Sequence, residues 1–484
     1  MMDYIPNIHL FSLYNQYYFY DANTNAIMEL PSEIYGFLKD ITEKKSVDVR
    51  KEFESLNNHQ KEEIEYLISS GLLSKNVTDC SLCHPETEML GDYYKSNLSS
   101  ITLQVTQNCN LRCAYCIYSG SYVNRTHNNK RMQLETAIKA VDFLYQHSSQ
   151  SHIISIGFYG GEPLLEFDLI QKVVDYAEGL FKGKSLQFLM TTNATLLSVE
   201  KARYLREHKF HLTISLDGPQ SIHNKNRIFA GSNKGSFQVI MNNLKKIKED
   251  DPQALKDISF NAVIDMNQDT SCSNEFFLHY DLVKEMDVGG NYVDSSNKKD
   301  QTPSAPPQFY IDTYYELFKL YLFQCTDIFS AYAPKLYSFE ISAMKRNMLE
   351  RTVLHNACTT PGGQCLPGIQ RFFVDVDGLF YPCERVNESA NDFVIGDIEN
   401  GFDVEKAKKL LNVALITENE CKNCWCSKLC NQCISKAEEN GKLSRKMRLS
   451  NCQDTKIAVE DMMKNYIVLR KHGCRFEEYE RKDL

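Results

Sequence analysis

The chain has 484 residues, 43% hydrophobic and 24% charged, enough for two or three domains around a large buried core. A net charge of -9 and a pI near 5.8 give no basic footprint for a nucleic-acid backbone, so a polyanion partner is excluded from the expected ones. The sequence shows no run of 18 apolar residues and no secretory signal at Met1-Met2-Asp3-Tyr4-Ile5-Pro6, so a cytoplasmic protein without membrane attachment is expected.

Along residues 1–80, short apolar runs at 8–13, 17–21 and 26–30 are separated by turn-forming residues and predict a three-stranded antiparallel meander. A helical pattern follows through Ile34, Phe37, Leu38 and Ile41, and a second helix near 61–70 stops at Gly71. Residues 74–100 read as a polar connector, with the linker at 81–98, and its Cys80 and Cys83 are an incidental pair too small to close a metal site. From Ile101 strands and helices alternate, with strands at 101–105, 153–159, 186–192, 212–216 and 258–264 and helices at 132–146, 169–181 and 199–208, as a parallel α/β fold requires. Residues 291–308 are rich in Asn, Ser, Asp, Lys and Pro and predict an exposed loop. Helical patterns at 310–323 and 339–350 come next.

Seventeen cysteines in a large chain without a signal point to thiolate ligation of metals rather than disulfides. Cys272, Cys325 and Cys474 stand alone and read as buried small hydrophobes. Cys109, Cys113 and Cys116, in C-x3-C-x2-C spacing directly after the first barrel-type strand, can hold three irons of a four-iron, four-sulfur cluster and leave the fourth open. The alternative is part of a zinc site. Polar motifs end the following strands: Gly160-Gly161-Glu162-Pro163, Thr191-Thr192-Asn193 and Ser215-Leu216-Asp217-Gly218. Gly160 and Gly161 let backbone approach a ligand, and Glu162 offers an acceptor to an ammonium group. Arg227 suits a carboxylate, while Asn193 and Ser215 equally suit helix capping. Asn108 and Arg112 read as loop-shaping residues.

Together these motifs resemble the radical S-adenosylmethionine (SAM) enzymes. The resemblance implies a partial (β/α)6 barrel over 99–340 whose reactive centre lies at the carboxyl ends of the strands. It implies SAM on the open iron, Glu162 at the SAM amino group, Tyr115 against adenine, and Asn193, Ser215, Asp217 and Arg227 around the ribose, carboxylate or sulfonium. One electron from the cluster then cleaves SAM, and a 5'-deoxyadenosyl radical takes a hydrogen atom from the substrate.

Cys365-x12-Gly378-x4-Cys383, followed by Cys421-x2-Cys424-x5-Cys430-x2-Cys433 and Cys452, is similar to the SPASM domain, here placed at 341–484. With Cys358 the thiols number eight, enough for two auxiliary four-iron, four-sulfur clusters beside the SAM-binding one. By resemblance the first takes Cys358, Cys365, Cys383 and Cys433, and the second Cys421, Cys424, Cys430 and Cys452. The last interval is one residue shorter than the family usually shows, and Cys426 is an extra thiol. Structural zinc is the alternative for this region.

The N-terminal meander and helices look like the winged-helix peptide-recognition element that precedes many peptide-modifying radical enzymes and binds a leader peptide as an added strand. The whole order resembles the maturases that install sulfur-to-carbon thioether crosslinks in ribosomally made, Cys-rich precursor peptides. Such enzymes imply a precursor-peptide partner and an electron donor such as flavodoxin or ferredoxin. The rival resemblance is to anaerobic sulfatase maturases, which form formylglycine. They carry an Asp base directly after the cysteine matching Cys383 and lack the N-terminal unit; here the residue is Glu384, a carboxylate base or a salt-bridge partner of Arg385 or a neighbour. A non-enzymatic alternative is a zinc-bound peptide-binding scaffold.

Overall fold

A computed structural model describes residues 2–44, 48–75, 82–294, 298–300, 305–326, 334–350, 360–361, 364–474 and 476. At the N-terminus, β1 (Ile8–Leu13), β2 (Gln16–Asp21) and β3 (Ala26–Leu30) form the expected antiparallel meander. They are followed by α1 (Ser32–Glu43), α2 (Val49–Glu54) and α3 (Asn58–Ser69), with Gly71 at φ +83° just beyond α3. Successive β2 side chains point to opposite faces: Phe19 packs with Ile34, Leu38 and Ile64, whereas Tyr18 and Tyr20 join the main core. The meander is therefore buried on both faces.

The stretch expected to be a linker contains α4 (Leu90–Ser96). Its Tyr94 is buried, donates to the Pro367 carbonyl at 2.6 Å and stacks on Phe402 at 3.8 Å, so the segment is packed rather than solvated. Two aromatic rings outweigh the polar composition around them.

Six parallel strands follow in chain order: β4 (Ser100–Thr106), β5 (Ile153–Gly160), β6 (Ser185–Thr192), β7 (Phe210–Ser215), β8 (Ile258–Ile264) and β9 (Val288–Tyr292). Between and after them run α5 (Leu134–Gln146), α6 (Phe167–Leu180), α7 (Val199–Glu207), α8 (Gln220–Asn226), α9 (Phe237–Asp250), α10 (Thr270–His279), α11 (Pro307–Cys325) and α12 (Ser338–Lys345). The amphipathic period holds them to the sheet; α5 buries Ala137, Ala140, Val141 and Leu144 on one stripe. Strand β9 escaped the sequence reading because the Gly-Gly-Asn run inside Val-Gly-Gly-Asn-Tyr breaks the apolar pattern and reads as a turn. Its Gly290 is needed because a Cβ there would meet the Leu336 carbonyl at 2.2 Å.

The C-terminal region adds β10 (Phe373–Val374), parallel to β4, then β11 (Leu379–Tyr381), β12 (Gly396–Asp397) and β13 (Gly401–Phe402) in antiparallel order. These extend the barrel sheet to ten strands, so the expected boundary near 340 crosses a continuous sheet. Four helices complete the chain: α13 (Val404–Leu411), α14 (Glu418–Cys421), α15 (Arg445–Ser450) and α16 (Cys452–Lys471). Among the described residues no helix is long and apolar enough to cross a membrane.

Candidate functional site

Strand β4 runs straight into the cysteine loop, which lies at the carboxyl ends of the barrel strands. The loop is pinned by backbone: Arg112 N donates to the Ile228 carbonyl at 2.8 Å and Ala114 N to the Asn226 carbonyl at 3.2 Å. Arg112 also donates Nη1 to the Cys109 and Leu111 carbonyls at 2.6 and 2.7 Å, the loop-shaping role expected of it. Cys109, Cys113 and Cys116 line one cavity of about 960 Å³. Burial pushes the Cys109 thiol up to about 12 and the Cys113 thiol to about 11. Such thiols keep their protons until a metal displaces them. Leu111 N already donates to Cys109 Sγ at 3.4 Å, and Asn193 Nδ2 approaches it at 4.0 Å. Three thiols of one loop, with donors aimed at sulfur, at the floor of a cavity with room for a nucleotide, fit a cluster with one open iron.

Gly160 and Gly161 serve the loop itself. A Cβ on Gly160, which sits at φ +135°, would meet the Thr106 carbonyl at 2.1 Å, and one on Gly161 would meet the Asn108 carbonyl at 2.0 Å. That closeness allows Gly161 N and Glu162 N to donate to the same two carbonyls, each at 2.9 Å. The glycines thus let β5 clamp the cysteine loop, a use beyond the ligand approach expected from sequence. Glu162 lines the cavity but is almost wholly buried, accepting from Thr192 Oγ1 at 2.5 Å, Asn193 N at 2.8 Å and Leu164 N at 3.1 Å. Burial raises its carboxyl, against these donors.

Asn193 and Ser215 line the cavity. Asn193 also bonds Asn110 Oδ1 at 2.9 Å, joining β6 to the cysteine loop. Asp217 does not reach the cavity wall. It lies behind Tyr115 and Arg227, receiving Arg227 Nε and Nη2 at 2.9 and 3.0 Å, Val263 N at 3.0 Å and the Tyr115 hydroxyl. Burial would raise the Asp217 carboxyl, but the Arg227 charge and these donors hold it below the usual carboxylate range. Ligand contact at this corner therefore falls to Tyr115 and Arg227, with Asp217 fixing both. Arg227 also acts on Cys113, lowering the thiol against the effect of burial.

Opposite the cysteine loop the same cavity is walled by Arg371, Glu384, Arg385, Cys433 and Lys436. Cys433 acts electrostatically on both Cys365 and Cys383, and burial pushes the Cys383 thiol up to about 12; Cys358 lies outside the described residues, as does Cys80. Glu384 faces the cavity and is paired with Arg371 and, at 3.8 Å, with Arg385. Arg371 was invisible to sequence reading because it is brought in by the β10 approach, with no motif around it. Away from this cavity, Cys421, Cys424, Cys426, Cys430 and Cys452 ring a separate small void. Cys426 is buried among the four assigned thiols. Among the described residues no three His, Cys, Asp or Glu side chains converge on a single-ion position. Of the isolated cysteines, Cys474 is buried, whereas Cys272 and Cys325 are half-buried.

Residues 103–252 match the Radical SAM superfamily. The cysteine-type anaerobic sulfatase-maturating enzyme of Clostridium novyi is 25% identical over 350 residues, 69% of this chain and 87% of that protein. The radical SAM cyclopropyl synthase TigE of Paramaledivibacter caminithermalis is 22% identical over 452 residues, 88% of each. An uncharacterized protein of Methanocaldococcus jannaschii is 40% identical over 121 residues, a quarter of this chain and 39% of that protein. The solved structure of native anSMEcpe with bound AdoMet shares the fold, with TM-score 0.57 and 20% identity over 75% of this chain and 98% of that one. Residues 103–252 thus carry a Radical SAM superfamily region, and most of the chain is similar to anaerobic sulfatase maturases and to a cyclopropyl synthase.

Proposed function

We propose that this radical SAM enzyme modifies a ribosomally made, Cys-rich precursor peptide by forming sulfur-to-carbon thioether crosslinks. The observation that carries the reading is one cavity whose floor is the three-thiol loop and whose facing wall holds Glu384 and Cys433 of the C-terminal region. Cys109, Cys113 and Cys116 hold the SAM-binding cluster; Cys365, Cys383 and Cys433 with Cys358, and Cys421, Cys424, Cys430 and Cys452, hold two auxiliary clusters in a SPASM-type region. SAM on a reduced cluster of this kind supplies a 5'-deoxyadenosyl radical. The chain's own residues orient it: Glu162 faces the amino group, Arg227 the carboxylate and Tyr115 the adenine. Each crosslink would transfer a hydrogen atom from the acceptor carbon to the deoxyadenosyl radical, release a proton from the peptide thiol and pass one electron to an auxiliary cluster.

The N-terminal unit supports a peptide substrate. Strand β3 pairs only with β2 among the described residues, so its outer edge offers backbone groups to an added leader strand, as a winged-helix recognition element does. The partners in this reading are the precursor peptide and a cytoplasmic electron donor such as flavodoxin or ferredoxin.

A second reading is favoured by the sulfatase-maturase similarity, which spans 87% of that enzyme, and by a carboxylate, Glu384, beside Cys383 in the cavity wall. In it the product is formylglycine and Glu384 is the base. Anaerobic incubation of reconstituted protein with SAM, dithionite and, in parallel, a Cys-rich precursor-type peptide and a Cys-containing sulfatase-type peptide separates the two. Loss of two hydrogens per crosslink with sulfur retained supports thioether formation; loss of sulfur with gain of a carbonyl oxygen supports formylglycine. A colourless protein with stoichiometric zinc and no deoxyadenosine would return the chain to a binding scaffold.

A further inference from the structure

The segment after the cysteine loop folds back over it and leaves buried polar atoms without partners. His127 Nε2 lies 3.7 Å from Cys116 Sγ, while its Nδ1 is buried and unbonded. His127 lines the cavity, and its backbone N donates to the Tyr118 carbonyl at 3.2 Å, which fixes the turn that brings the ring to the sulfur. Two residues away, Arg125 lies over the Tyr118 ring at 3.7 Å and donates Nε to Glu388 at 2.6 Å. Its Nη1 and Nη2 are both buried and unbonded. Glu388 is itself fixed by the Tyr118 hydroxyl at 2.6 Å and Gln104 Nε2 at 2.8 Å. A buried guanidinium with two idle donor groups is expensive to maintain unless something accepts from them.

We propose that His127 and Arg125 are positioning residues for the SAM-binding cluster: His127 Nε2–H donates to the Cys116 sulfur, Arg125 holds a positive charge on Tyr118, the ring that packs edge-on against His127, and together they raise the reduction potential. The proposal rests on the reading that Cys109, Cys113 and Cys116 hold that cluster. Hydrogen bonds and positive charge at cluster sulfurs stabilise the more negative, reduced state, so they make the electron needed for SAM cleavage easier to deliver. Neither residue belongs to the cysteine, glycine or strand-end motifs. Glu388, which aims Arg125, follows Cys383 by five residues, so the auxiliary loop holds this clamp in place.

Anaerobically reconstituted wild-type protein labelled with 15N-histidine tests the contact without relying on a variant. In its reduced state, the electron paramagnetic resonance signal that shifts on SAM addition should show a weak 15N coupling, lost in His127→Leu. Potentiometric titration of the same signal should give a lower midpoint for His127→Leu and for Arg125→Met, with His127→Gln near wild type because it keeps an N–H donor. No histidine coupling in the wild type, a coupling of directly bonded size, or unchanged midpoints in both variants overturns the proposal. A reduced protein with no SAM-responsive signal overturns instead the cluster assignment beneath it.

Discussion

Arg227 and Asp217 form a two-point ion pair in which both side chains are more than nine-tenths buried. Ten residues apart in sequence, they join the start of α8 to its end and place Arg227 against Cys113 and the Tyr115 ring, 5.4 Å away. Removing one partner strands the other charge without water. Asp217→Asn is therefore expected to destabilise the protein by about 3–5 kcal/mol. Urea unfolding under anaerobic conditions measures this, and Tyr115→Phe, which removes only one donor to Asp217, should lose roughly 1 kcal/mol.

Gly161→Ala is expected to damage cluster assembly more than folding. The new methyl group would lie 2.0 Å from the Asn108 carbonyl, so β5 and the cysteine loop must separate and the two hydrogen bonds between them break. Overpacking of this kind costs about 1–3 kcal/mol, which the large core tolerates. Iron content after reconstitution should fall by one cluster, with a near-native circular dichroism spectrum.

Acid sensitivity should be centred on His223. Burial holds its imidazole neutral, from the usual 6.5 down to about 3, with Nδ1 accepting from Asp217 N at 3.3 Å and Nε2 bonded to Ser236 Oγ at 2.9 Å. Below 6.5 the unfolded chain gains a proton that the folded chain refuses. The stabilisation is complete above 6.5 and is lost as pH falls towards 3, at about 1.4 kcal/mol per pH unit. The urea midpoint should drop on acidification through this window, and His223→Gln should flatten that drop.

Glu384→Gln separates the two uses of that carboxylate. If Glu384 acts as a base, substrate turnover should fall about 100-fold or more while deoxyadenosine formation without peptide is unchanged. If it only neutralises Arg371, turnover should stay within about tenfold and the charge-restoring Glu384→Asp should recover it.

Cys426→Ala should keep the iron content of the wild type, because four other thiols ring the same void. Cys430→Ala should lose one cluster. Iron and sulfide analysis of the two proteins, side by side, assigns the second auxiliary ligand set.

The cysteine loop, the Gly160-Gly161 turn and five of six barrel strands were legible in sequence because each depends on local chemistry. Thiolates are the usual ligands of iron–sulfur clusters, a residue pressed against a carbonyl must be glycine, and buried parallel strands need continuous apolar runs. Helix α4 was hidden because its burial is decided by Phe402, some three hundred residues away. Arg371, Arg125 and His127 were hidden for the same reason: an isolated cation or imidazole carries no pattern until the fold supplies its partner. Asp217 was placed on the cavity wall because its motif touches ligand in the resembling family; Arg227 and Tyr115 stand in front of it here.

His9 of β1 stacks on Trp425 at 3.8 Å with the rings nearly parallel, and pairs with Glu460 at 2.8 Å. Trp425 lies between Cys424 and Cys426, and Glu460 is on the helix that Cys452 begins. The N-terminal meander is thus a roof over these thiols. Cutting the chain after residue 75 would peel that roof away, and, if Cys421, Cys424, Cys430 and Cys452 hold a cluster as proposed, the shortened protein should bleach faster in air at that site.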